Sequence, residues 1–130
     1  MFEVIEIESK NREEMISITD KVSEIIRKAK IKEGICVIYV PHTTAGVTIN
    51  EDADPSVKKD ILNHLSKIIP YNESYSHIEG NADAHIKASI IGSSVNVIIS
   101  NGELLLGRWQ GIFFCEFDGP RRRKIYLKIL

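Results

Sequence analysis

The chain has few of the residues that staple, span or strongly charge a protein. Its 130 residues include two cysteines, four prolines and one tryptophan, and the formal net charge is −1. The cysteines, Cys36 and Cys115, belong to no CxxC pair and offer no disulfide framework or zinc ribbon. Each lies in an apolar run, ICVIYV and IFFCEF, as a reduced thiol packed like a small hydrophobe does. No apolar stretch approaches the ~20 residues that cross a bilayer. The N-terminus, MFEVIEIESK, lacks the basic-then-apolar pattern of a secretion signal. The expectation is a cytoplasmic protein with no membrane partner. The near-zero net charge gives no ground for a nucleic-acid partner either.

What is present suffices for an ordinary core. Hydrophobic residues make up 43% and charged residues 27% of the chain, as in soluble globular proteins. The length suits one domain over residues 1–130. Phe2 to Glu8 nearly alternates apolar with acidic, with one slip at Val4-Ile5, and reads as a half-exposed strand. Met15, Ile18, Val22, Ile25, Ile26 and Ala29 recur at helical spacing, with Asn11 and Glu14 as a capping box. Ile35 to Val40 is continuously apolar, as in a strand buried on both faces. Ala45 to Ile49 resumes as a strand after Pro41.

Asp54-Pro55 starts a second helix, with Asp as cap and Pro at the first helical position. Its stripe is Val57, Ile61, Leu65 and Ile68, and His64 falls at the stripe's edge. Pro70 ends it, and a polar loop leads to a third helix over 82–91. Strands follow over Val95–Ser100, Leu104–Leu106, Gly111–Phe117 and Lys124–Leu130, with a hairpin turn at Asn101-Gly102. The expected class is α+β: a β-sandwich-like mixed sheet core flanked by about three helices.

Three polar stretches stand apart from this scaffold. Pro41 to Pro55 reads PHTTAGVTINEDADP; the others run from His77 to His85 and from Trp109 to Lys124. His42, His77 and His85 lie in them, and imidazole is the commonest ligand of zinc. Surface histidines are the plainer alternative. Glu51, Asp52, Asp54, Glu79 and Asp83 are nearby carboxylates in sequence; a carboxylate beside histidines serves as ligand, orienter or general base. Asp54 is already explained as a cap and Asp83 by the helix dipole.

The run Arg121, Arg122, Arg123, Lys124 enters a strand, so at most two of its three arginines share a face. It reads either as a solvated sheet edge or, with Thr43 and Thr44, as an anion site. Trp109 sits between Gly107 and Gly111, packed at a core edge, on a neighbouring subunit or as a pocket wall.

In combination and order, three pieces resemble the YjbQ family, also labelled UPF0047. They are PHTTAGVTINEDADP at 41–55, HIEGNADAHIKASIIGSS at 77–94 and NGELLLGRWQGIFFCEFDGPRRRK at 101–124. The resemblance implies a compact β-sandwich-like fold, a homotrimer, and a secondary thiamine-phosphate synthase activity. That activity joins a pyrimidine pyrophosphate to a thiazole phosphate. Carried over by position, the motif residues are His42, Thr43, Thr44, Asn50, Glu51, Asp54, His77, Glu79, Gly80, His85, Trp109, Gln110 and Arg123.

The resulting expectation is an enzyme acting on phosphorylated small molecules. Glu51, His42 and His85 are its candidate catalytic residues. Thr43, Thr44, Asn50, Arg121, Arg123, Trp109 and Gln110 are the candidate substrate and anion contacts, and His42, His77 and His85 the candidate metal ligands. Histidine ligands favour zinc, with magnesium or manganese as alternatives for pyrophosphate chemistry. Two other readings stand beside it. One is a metal-dependent hydrolase with Glu51 as base; the other is a non-catalytic trimeric module that binds a metal or metabolite.

Overall fold

The structure, a computed structural model, describes all 130 residues. Its strands are β1 (Phe2–Glu8), β2 (Glu14–Ser17), β3 (Gly34–Tyr39), β4 (Ala45–Glu51), β5 (Ser94–Ser100), β6 (Glu103–Leu104), β7 (Gln110–Glu116) and β8 (Arg122–Ile129). Its helices are α1 (Thr19–Lys28), α2 (Pro55–Ile68) and α3 (Ala82–Ile91). The strands form two antiparallel sheets, β1-β8-β3-β5-β6 and β2-β7-β4. The α+β sandwich with three helices expected from the sequence is what the chain adopts.

Alternation explains the layers. Ile5 and Ile7 of β1, Cys36 and Ile38 of β3, and Ile125, Leu127 and Ile129 of β8 all point inward. They meet Val47 of β4 and Ile112 and Phe114 of β7 across the sandwich, with Ile18 just before α1 and Val22 and Ile26 within it. The opposite side of β7 carries Phe113 and Cys115, which pack with Met15, Ala84, Ala88 and Phe117 beneath α2 and α3. The strand buried on both faces is therefore β7, whose residues from Gly111 to Glu116 are all buried.

Three readings of the N-terminal half are corrected. β3 was expected to be buried on both faces, but Ile35 and Tyr39 are exposed. Its continuous apolar run arises because this strand carries apolar side chains on the outer face of the sheet as well as the inner one. The first helix begins at Thr19, since Glu14–Ser17 pairs with β7 as a strand. Met15 and Ile18 lie at helical spacing but belong to different cores. Glu14 does reach back, accepting the N–H groups of Lys10 at 2.6 Å and Asn11 at 3.2 Å, but it closes a turn before a strand. His64 is exposed, outside the stripe of α2.

Other local signals hold. Asp54 accepts the Ser56 N–H at 2.9 Å and Pro55 opens α2. Asn101 and Gly102 both have positive φ, 53° and 78°, as a type I′ hairpin turn requires. Both thiols are buried in apolar surroundings, which pushes each up to about 12 and keeps it protonated. No helix is long and apolar enough to cross a membrane.

Candidate functional site

Two connections cross between the sheets at the same end of the sandwich. Residues 40–44 lead from β3 to β4, and residues 117–121 lead from β7 to β8. They are stitched together by the Phe117 N–H, which donates to the Thr44 carbonyl at 3.1 Å. Helix α3 approaches the same end because Gly46 has no side chain. A Cβ there would stand 2.6 Å from the Gly92 carbonyl, which instead accepts the Val47 N–H at 3.1 Å.

Together these segments line an open cavity of about 510 Å³. His42, Thr43, Thr44, His77, His85, Arg121 and Arg123 all line it, as do Pro41, Glu79 and Asn81. No lining residue is hydrophobic.

His42 has a defined state. Its Nε2 accepts the backbone N–H of Lys124 at 2.9 Å. A neutral imidazole has one lone pair and one N–H, so Nδ1 carries the proton. Burial, then the positive charge of Arg123, holds His42 below the ordinary histidine range. His42 is thus a neutral donor through Nδ1. His77 and His85 meet edge to face with ring centroids 5.1 Å apart, and His77 Nε2 lies 3.9 Å from Glu79 Oε2.

The three histidines do not fit together as a metal ligand set. The lone pair of His42 is already engaged, and no three His, Cys, Asp or Glu side chains converge to hold an ion. His77 and His85 alone fall short of the three protein ligands usual at a catalytic zinc.

Arg123 is 5% exposed and held from three sides. Its Nε donates to Glu116 Oε1 at 2.9 Å, and its Nη2 donates to Thr44 Oγ1 at 2.8 Å and to Glu116 Oε2. Nη1 makes no hydrogen bond within the chain, and Arg123 lines the cavity. Burial pushes the Glu116 carboxyl upward. The hydrogen bonds from Arg123, Ser9 and the Asp118 amide outweigh that and hold it below the ordinary range. Arg121 is exposed and donates to the Asp118 carbonyl at 2.7 Å and carboxylate at 2.9 Å. Arg122 is exposed and, by alternation with Arg123, points to the outer face.

Glu116 and Asp118 escaped the sequence reading. A lone glutamate in the apolar run IFFCEF needs a buried cation, and that was the available signal. Asn81 immediately precedes α3, where a helix cap is expected. It makes no side-chain capping bond, and its Nδ2 donates to Asp118 at 2.9 Å.

The remaining candidates lie elsewhere. β4 runs from Ala45 beside the cavity to Glu51, and six steps at ~3.3 Å each make that about 20 Å. At that far end Glu51 pairs with Gln110 and Asn50 with Gly111, while the Asp52 N–H donates to the Trp109 carbonyl at 2.8 Å. Glu51 accepts the Ala53 N–H at 2.9 Å, and Gln110 accepts the Gly107 N–H at 2.7 Å. Trp109 is 54% exposed, with the Arg108 guanidinium 4.8 Å from its ring. One chain therefore does not bring Glu51, Asn50, Trp109 or Gln110 to the histidines.

The family described as UPF0047 protein YjbQ-like matches residues 3–130. The chain belongs to the YjbQ family.

Among YjbQ relatives, UPF0047 protein MJ1081 of Methanocaldococcus jannaschii is 59% identical over 125 residues, covering 96% of this chain and 91% of that one. YugU of Bacillus subtilis is 50% identical over 131 residues, covering 100% and 99%. A crystal structure of a YjbQ/UPF0047 protein from Clostridium acetobutylicum superposes with a TM-score of 0.95 at 50% identity, covering 98% of each chain. Another, described as a YbjQ-like protein of unknown function from Sulfolobus solfataricus, superposes with a TM-score of 0.95 at 36% identity, covering 99% and 95%.

Proposed function

We propose that this YjbQ chain is an enzyme acting on phosphorylated small molecules, with the histidine–arginine cavity as the phosphoryl site. The carrying observation is a cavity of about 510 Å³ that joins three histidines to two arginines without a hydrophobic lining residue. His42 Nδ1–H, the Thr43 hydroxyl, Arg121 and Arg123 Nη1 are the donors for phosphate oxygens. His85 is the group that transfers a proton to the leaving phosphate.

Thiamine-phosphate synthesis is the named candidate, supported by the family resemblance. The thiazole nitrogen attacks the pyrimidine methylene carbon, its C–O bond breaks, and pyrophosphate leaves with the electron pair. Donors aimed at the leaving pyrophosphate are what such a step needs. The hydrolase reading required Glu51 beside the histidines. In one chain Glu51 stands at the far end of β4, so that reading requires the Glu51 of a neighbouring copy.

We also propose a homotrimer, as the resemblance implies. Phe2, Val4, Ile35, Tyr39 and Ile98 are exposed on the outer face of the larger sheet. Tyr126 stacks on Tyr39 at a centroid distance of 6.3 Å and meets Phe2 at a tilt, 5.6 Å away. A contiguous apolar patch of this kind is characteristic of an interface. Trp109 is a further exposed contact for a neighbouring copy.

The test is incubation with the pyrimidine pyrophosphate and the thiazole phosphate, monitoring thiamine phosphate and released pyrophosphate. Product formation that His85→Ala abolishes supports the reading. Phosphate binding without turnover would favour the non-catalytic module.

A further inference from the structure

The segment between β1 and β2 does not line the histidine cavity, yet it touches three of the cavity's walls. Ser9 and Arg12 hold the β7–β8 connection. The Arg121 N–H donates to Ser9 Oγ at 2.8 Å, and the Gly119 N–H donates to the Arg12 carbonyl at 2.9 Å. This close approach needs glycine at 119. A Cβ there would collide with the Asn11 carbonyl and stand 2.7 Å from Ser9 Oγ.

The Arg12 side chain reaches the other two walls. Its guanidinium lies 4.4 Å from the centre of the Tyr71 ring, at the root of the loop that carries His77 and Glu79. Its Nη1 and Nη2 donate to the two oxygens of Asp83 at 3.2 and 3.0 Å, a two-point grip on α3. Asp83 and Lys87, one turn apart, both face inward and are each 1% exposed. At 3.6 residues per turn, His85 lies about 200° round the helix from Asp83. With Asp83 clamped inward, His85 is turned to the cavity it lines. Lys87 donates to the same carboxylate at 3.2 Å, but its other partners are Glu13 at 2.6 Å and Ser66 at 3.4 Å, away from the remaining walls. Its ammonium is a point charge, whereas the planar guanidinium fixes direction as well as distance.

We propose that Arg12 is a positioning residue of the cavity. It holds the β7–β8 connection, the 71–81 loop and α3 against one another, and so sets where Arg121, His77 and His85 stand. The ligand in the test rests on the phosphoryl-site reading above; the geometry rests on the contacts of Arg12 alone.

The test is a titration of inorganic pyrophosphate into the full wild-type chain and the variants Arg12→Ala, Arg12→Lys and Lys87→Met. NMR follows the imidazole signals, and urea denaturation follows stability. Arg12→Ala is expected to weaken pyrophosphate about tenfold, as loss of a supporting residue does at a preorganised site, and to shift the His85 ring signals. Lys87→Met takes a charge from the same buried cluster but leaves the Arg12 contacts. It is expected to lower the urea midpoint and leave the affinity unchanged, which separates positioning from stability. Arg12→Lys keeps a charge beside Asp83 without the two-point grip. Its affinity should fall between those of wild type and Arg12→Ala, and it decides the matter if Arg12→Ala does not fold. Wild-type affinity in the folded Arg12 variants, or an equal loss in Lys87→Met, would overturn the proposal. If the wild-type chain binds no pyrophosphate, the phosphoryl-site reading fails, and the His77 and His85 rings, 5.1 Å apart, decide instead. Loss of the nuclear Overhauser contact between them in the Arg12 variants alone would sustain the positioning role. Its retention there, or its loss in Lys87→Met as well, would overturn it.

Discussion

His42 Nε2 accepts the backbone N–H of Lys124 at 2.9 Å, which ties the β3–β4 connection to the start of strand β8. The bond uses the ring's only lone pair and makes His42 a donor through Nδ1. Nitrogen-15 NMR should show His42 as the Nδ1–H tautomer. Its titration midpoint should fall below those of model histidine peptides. Because the folded value is depressed, the unfolded chain binds the proton first. The contribution of His42 to stability is therefore full above the ordinary histidine range and is lost as pH falls through that window. An Nε2–H tautomer would remove the argument against His42 as a metal ligand.

The Glu116–Arg123 pair is the second test. Both groups are buried, and each supplies two of the other's four hydrogen bonds. Glu116→Ala leaves a buried guanidinium without its partner and should destabilise the fold by about 3–5 kcal/mol, measured by urea denaturation. Glu116 and Asp83 both lie below the ordinary carboxylate range, held there by hydrogen bonds that outweigh burial. Their stabilisation is present above that range and is lost as pH falls through their folded values. Acid unfolding should follow, with the apparent midpoint shifted in Glu116→Gln.

The outer face of the larger sheet makes a prediction about assembly. Light scattering should give three times the 14.7 kDa chain mass. Ile98→Glu places a charge on an apolar position that is 58% exposed in the single chain. It should leave the fold intact and dissociate the assembly. A monomeric wild-type chain would contradict the trimer, and the apolar face would need another occupant.

Much of the scaffold was legible in residue order. The Asp54-Pro55 helix start and the Asn101-Gly102 hairpin turn are local devices that tertiary context did not override. Two irregularities carried more than local information. The slip at Val4-Ile5 and the unbroken run Ile35 to Val40 both arise because the larger sheet carries apolar residues on its outer face as well as its inner one. Period alone does not distinguish a strand buried twice from one with an exposed apolar face. The start of α1 was misread because Met15 and Ile18, three apart, serve two different cores.

The site was legible as residue types and only partly as geometry. His42, His77, His85, Arg121 and Arg123 do share one cavity. Glu51, Asn50, Trp109 and Gln110 lie near them in the motifs but at the other end of extended strands. Seven residues are a single bend in a loop and about 20 Å in a strand. The engagement of the His42 lone pair by a backbone N–H depends on a residue 82 positions away, and no spacing rule reports it.

The most direct measurement is a titration of inorganic pyrophosphate followed by amide and imidazole NMR, with Arg121→Ala beside the wild-type chain. The account predicts saturable binding, with shifts at His42, Thr43, His85 and Arg121, weakened about tenfold by Arg121→Ala through the lost charge-assisted hydrogen bonds. No saturable binding, or shifts confined to Asn50, Glu51 and Trp109 at the opposite end, would contradict it.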